Sequence, residues 1–137
     1  MTKKVLIGFV VVFVLTFALD YVVNNFILMP DYQATAQLWR APEEMKISLI
    51  VICQLFFAFF FTLIFSKGYE GKGPVEGVRY GLYVALMVVV PAAYMSYATM
   101  PLPYSLSLKW FLTGTVQSMI YGLALALVFG KKSDPQK

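Results

Sequence analysis

The stretch VLIGFVVVFVLTFALDYVVNNFIL, residues 5–28, holds one charged side chain, Asp20, in twenty-four positions. An α-helix rises 1.5 Å per residue, so such a run crosses the roughly 30 Å hydrocarbon core of a bilayer, which takes about 20 apolar residues. Three further runs of the same kind extend from about Met45 to Phe65, Val78 to Ala98 and Ser107 to Phe129. Together they predict an all-α, integral membrane four-helix bundle in which residues 1–137 form a single membrane domain. Lys3 and Lys4 ahead of the first run imitate a signal peptide. The apolar run is longer than a signal h-region and has no small-residue cleavage site before Asp20, so a retained helix is expected.

Composition agrees and narrows the function classes. The chain is 60% hydrophobic and 13% charged, with mean hydropathy +0.73, outside the usual range of soluble domains. With 137 residues spent on spans and short connections, no extramembrane catalytic module fits. Histidine is absent, which removes the commonest general base, metal ligand and haem ligand together. The lone Cys53 sits inside an apolar run, so it forms no intrachain disulfide or cysteine-based metal site and reads as a small packed residue. No metal, no cofactor and no enzymatic activity are expected. The net charge of +4 comes from basic residues that flank apolar runs, where membrane orientation and anionic headgroups account for them better than nucleic acid does.

Those basic residues also orient the chain. Lys3, Lys4, Lys67, Lys72, Arg79, Lys131, Lys132 and Lys137 fall on one side of the predicted spans, against Arg40, Lys46 and Lys109 on the other. By the positive-inside rule the tails and the Lys67–Glu76 connection are cytoplasmic, while Met29–Glu44 and Met100–Ser107 face outward. In the first outer connection, Pro30 and Pro42 bound DYQATAQLWR (residues 31–40). Asp31 is suited to cap a short helix whose Tyr32, Ala36 and Trp39 share a face. Tyr32, Trp39 and Trp110 are expected at the interface, the first two either as a plain aromatic anchor or as part of a lid over an outward-facing cavity.

The halves of the chain echo each other. Trp39 follows Pro30 by nine residues and Trp110 follows Pro101 by nine, each proline preceded by a methionine, at an offset of 71. Ala58 to Lys67 resembles Gly122 to Lys131 at an offset of 64. The pattern suggests two parallel-repeat helical hairpins. Small residues recur at every fourth position in Gly77, Gly81 and Ala85, and again in Gly114, Ser118, Gly122, Ala126 and Gly130. Lipid gives helices little hydrophobic reason to associate, so such stripes mark close packing, either on each other or through self-association or another subunit. Phe56, Phe57, Phe59, Phe60, Phe61 and Phe65 surround the second run and read as lipid-facing or core filler.

Counting from the outer ends, Asp20, Gln54, Pro91 and Gln117 lie at nearly one depth, with Asn24 one turn along from Asp20 and Tyr94 beside Pro91. A charged side chain near mid-bilayer costs about 2.5–3.5 kcal/mol on insertion scales, so Asp20 should face the interior and find partners in Gln54, Gln117 or a carbonyl freed by Pro91. The plain reading of this layer is an interhelical network that fixes register. The sharper one is a small polar site for a cation, a proton or a small polar ligand. A lone carboxyl without a base or nucleophile argues against catalysis.

The stretches LWR (38–40), KGYEGKG (67–73) and EGVRYG (76–81), with PLP at 101–103, resemble an uncharacterised family of small bacterial four-helix inner-membrane proteins. The resemblance covers nearly the whole chain and implies a multi-pass protein of the bacterial inner membrane. It also implies a His-Gly pair where this chain has Asn24-Asn25, so no role of that histidine carries over. KGYEGKG lacks the Gly-Lys-Ser/Thr of a phosphate-binding loop and is expected to be a flexible hairpin turn, with protein docking as the alternative. The leading functional expectation is a non-enzymatic accessory or scaffold subunit of a larger membrane assembly. A small oligomeric transporter or channel using the Asp20 layer is the alternative.

Overall fold

The computed structural model of the chain describes residues 3–130, apart from the side chain of Pro42. Lys131, Lys132 and Lys137, which entered the orientation argument, lie outside these residues. Among the described residues four helical spans are long and apolar enough to cross a membrane: Lys3–Ile27, Ile47–Gly68, Pro74–Thr99 and Tyr104–Phe129. The protein is thus an all-α membrane bundle, as its apolar runs predict, with span limits within a few residues of those read from the sequence.

Helix α1 (Lys3–Val22) runs into a π-helical turn at Val23–Ile27, and a short α2 (Met29–Ala34) follows. Two 3-10 turns, Ala36–Leu38 and Pro42–Glu44, lead into α3 (Ile47–Gly68). The third span is α4 (Pro74–Val84), a π-helical turn at Ala85–Val89 and α5 (Val90–Thr99), and the fourth is α6 (Tyr104–Phe129). The π turn before Pro91 has a local cause. Proline has no N–H to donate, and the chain widens one turn so that the Val90 N–H reaches back to the Ala85 carbonyl.

Helices α1 and α3 form one hairpin, and α4–α5 with α6 form the other. The hairpins join where α1 packs on α6. At one end, Lys4 Nζ donates to the Phe129 carbonyl at 2.8 Å and the Tyr69 hydroxyl to the Gly130 carbonyl at 2.8 Å. Residues 3 and 130 and the α3–α4 connection therefore share an end, together with Lys67, Lys72 and Arg79. That connection is tied down. The buried Glu76 carboxylate accepts the backbone N–H groups of Glu70 (2.7 Å) and Lys72 (2.9 Å), while Gly73 makes the bend at φ +98°.

The two small-residue stripes meet inside the chain. A side chain at Gly77 would collide with the Gly122 carbonyl, one at Gly122 with the Gly77 carbonyl, and one at Gly81 with the Ser118 carbonyl. Ser118 Oγ donates to the Gly81 carbonyl at 2.8 Å, tying the two backbones where they touch. Ala85 and Ala126 are buried at the same seam, and Gly114 accommodates Val89 of the π turn. Gly130, at φ +74°, ends α6 with open space around it. The phenylalanines of α3 divide as expected of core filler and lipid face: Phe61 and Phe65 are buried, and Phe56 and Phe60 are exposed.

Gly122→Val should force α4 from α6 and destabilise the bundle by about 1–3 kcal/mol, the usual cost of overpacking. Gly68→Ala, at a position with nothing within 4 Å, should be near neutral. Unfolding of both variants in detergent checks the contrast, and equal stabilities would show that the seam is not tight.

Candidate functional site

Asp20 is reached from two other helices. Gln54 Nε2 of α3 donates to Asp20 Oδ2 at 2.9 Å, and Gln117 Nε2 of α6 donates to Asp20 Oδ1 at 2.8 Å. The depth count thus identified three side chains that touch, and both carboxyl oxygens accept an amide hydrogen bond. The same Gln117 Nε2 also donates to the Tyr121 hydroxyl at 3.1 Å. Tyr121 escaped the sequence reading, although it is four residues from Gln117 and therefore on its face.

The carboxyl lies between two cavities. The larger, about 500 Å³, is lined by polar Thr16, Asp20, Gln54, Gln117 and Tyr121 and by apolar residues such as Leu49, Ile50 and Val88, with Cys53, expected as a packed residue, instead exposed on its lining. The smaller, about 360 Å³, shares Asp20 and Gln117 and extends past Asn24, Leu28 and Ser96 to Trp110. No lysine or arginine lines either one among the described residues. Gln54 Oε1 is buried beside the carboxyl and has no hydrogen-bond partner there. No group of three His, Cys, Asp or Glu side chains gathers among the described residues.

Of the other predicted members of the layer, Tyr94 lines neither cavity and Asn24 shares the smaller one with Asp20 without bonding to it. Tyr94 turns away, its hydroxyl 3.1 Å from that of Tyr104. Asn24 accepts instead from the Tyr32 hydroxyl at 3.0 Å. The rest of the first connection folds over this end of the bundle. Trp110 Nε1 donates to the Tyr32 hydroxyl at 3.0 Å, Trp39 Nε1 donates to Thr35 Oγ1 at 2.8 Å, and the Tyr32–Trp39 and Trp39–Trp110 rings meet edge to face. Leu28, Leu102 and Leu106 are buried beneath. Asp31 does not cap α2, whose N-cap position is Leu28; its carboxylate pairs with Lys109 Nζ at 2.6 Å. Asn24 and Trp110 both line the smaller cavity, and the Tyr32 hydroxyl bridges them.

No protein-family model, curated protein or solved structure matches the chain.

Two outcomes follow from this geometry. A double-mutant cycle of Asp20→Asn with Gln117→Leu should give a coupling of about 0.6–1.7 kcal/mol in detergent unfolding, the range of intramembrane hydrogen bonds. Additive effects would mean that the bond contributes nothing. The second concerns Tyr32, outside the spans. Burial pushes its phenol above the ordinary value of 10, and the charges of Asp20 and Asp31 push the same way against the lowering effect of the Trp110 bond. A raised folded-state value means that Tyr32 supports the folded cap fully below pH 10 and that this support is lost as pH rises through the folded value. Tryptophan fluorescence should report the cap loosening above pH 10. The same transition in Tyr32→Phe would assign it to another group.

Proposed function

We propose that this chain is a small non-enzymatic protein of the bacterial inner membrane, with its termini in the cytoplasm, that binds a small polar or cationic ligand at Asp20 as the site of an oligomeric transporter or channel. The observation that carries the reading is a carboxylate gripped from two helices between two cavities with no basic side chain beside it. Magnitudes support a ligand. An ionised acid at this depth costs about 2.5–3.5 kcal/mol, whereas two amide bonds return only about 0.6 kcal/mol each. A cation in the adjoining space would offset the remainder. Orientation rests on the excess of lysine and arginine at the end shared by residues 3 and 130, and the bacterial assignment on the resemblance of the KGYEGKG and EGVRYG stretches. The non-enzymatic part rests on chemistry: the sequence has no histidine, and one carboxylate between two amides has neither an activated nucleophile nor a base with its orienting partner.

The accessory-subunit reading drew on the small-residue stripes as contact surfaces for self-association or another subunit. Gly77, Gly81, Ser118 and Gly122 are occupied with one another, so the stripes lend it less weight than the cavity lends to ligand binding.

Proteoliposomes test the proposal. Saturable flux of a small cation is expected, reduced at least about tenfold, or 1.4 kcal/mol, by Asp20→Asn. Absence of flux in the parent protein, or flux unchanged in the variant, would overturn the transport reading.

A further inference from the structure

The larger cavity has a lining that is polar in part and apolar in part. Asp20 lines it and accepts from two amides, and Gln54 lines it with its Nε2 turned to the carboxyl, while Gln54 Oε1 is itself buried among the described residues. The orientation of that amide is fixed by the carboxylate: Nε2 must face Asp20 Oδ2, because turning the amide over would set two acceptors against each other. The Asp20 carboxyl is therefore the acidic acceptor of the site. Leu49, Ile50, Val84 and Val88, which also line it, carry no polar side-chain atom.

The cavity also has an open flank. Helix α3 packs on α1, touches α6 through Phe57, Phe61 and Phe65, and reaches α4 through Tyr80, whose ring lies tilted or edge-on against Phe61 and Phe65 and whose hydroxyl donates to the Phe61 carbonyl at 2.6 Å. That contact lies toward the end shared by residues 3 and 130. Farther along, α3 and the Ala85–Val89 turn flank the cavity, and Leu49, Ile50 and Val88 are exposed at its rim. An occupant can enter sideways from the lipid.

From these observations we infer that the ligand is an organic ammonium ion with a short apolar tail, its head on Asp20 and its tail along the apolar Leu49–Val88 side of the cavity. The inference rests on the reading of Asp20 as a ligand site and names the ligand class. An ammonium head brings donors and a positive charge to a carboxyl that offers acceptor oxygens and a negative charge. A bare metal cation would ask for several more oxygen ligands than the apolar side provides. An anion meets only repulsion at Asp20. The volume of about 500 Å³ falls within the usual range for small-molecule sites.

The test is equilibrium binding to the full chain in nanodiscs, with n-butylammonium as the probe and 1-butanol, butyrate, sodium and potassium as comparisons. Empty nanodiscs correct for partitioning. Saturable binding of the ammonium is expected, at least about tenfold weaker in Asp20→Asn, with no saturable binding of the alcohol or the carboxylate. Val88→Trp, which fills the groove with Asp20 left in place, should also abolish ammonium binding and guards against a misfolded Asp20 variant. Ammonium binding that survives both variants, or butanol binding equally well, would overturn the inference. Asp20-dependent binding of sodium or potassium without the ammonium would overturn it while leaving the ligand site standing. No Asp20-dependent binding of any probe would remove both.

Discussion

Gly77 and Gly122 meet backbone to backbone, and the arrangement of the other spans follows from that contact. Lipid tails solvate leucine as well as a neighbouring helix does, so apolar burial alone does not choose a partner for α6. Close approach does, because it multiplies dispersion contacts and brings the Ser118 hydroxyl onto the Gly81 carbonyl. With one face of α6 spent on α4, another is left for α1. Helix α3 then attaches to α1, with its phenylalanines also meeting Tyr121 and Phe129 of α6, and the Tyr80 cluster draws it toward α4. The space left beyond that cluster is the larger cavity, and Asp20 is the polar group that α1 presents to it.

The widened turns belong to the same geometry. At Ala85–Val89 the helix answers a missing proline donor by lengthening one hydrogen-bonded turn, and Val89 of that turn sits against Gly114. Val88 and Val89 therefore line both cavities, opposite the Asp20–Gln117 bond. In the first span the turn at Val23–Ile27 carries Asn24 to the Tyr32 hydroxyl, and the Leu28 N–H bonds back to the Val23 carbonyl at 2.9 Å. Each span that borders the smaller cavity with a π turn thus has its backbone satisfied internally, as hydrocarbon demands.

Length and apolarity made the spans legible, because a bilayer imposes one thickness on all of them. Depth made the layer legible too: counting 1.5 Å per residue placed Gln54 and Gln117 level with Asp20, and both reach it. Depth has no angular component, and that is where the reading failed. Tyr94 has the right height, but its hydroxyl lies beside Tyr104; Asp31 has the chemistry of a cap, but α2 continues almost directly from the first span and frees its carboxylate for Lys109. The stripes showed that something packs closely without naming the partner, since spacing along one helix says nothing of which helix faces it.

Whether the Asp20 layer serves register alone can be argued from what it leaves undone. A network built only to align helices gains by satisfying every buried acceptor and by excluding empty space, since an unpaired acceptor costs about 1–3 kcal/mol and a void forfeits packing. This layer does neither. Gln54 Oε1 is unpaired among the described residues, and the space of about 500 Å³ begins beside it. The glycine seam already fixes the register of α4 on α6 without help from the carboxylate. One occupant, positively charged at its head and apolar behind, would offset the charge of Asp20 and lie along the apolar lining together. The carboxyl and the apolar lining meet where α1 faces α3 and α6, and this juxtaposition is what favours the proposed binding role for an acid in the middle of a membrane.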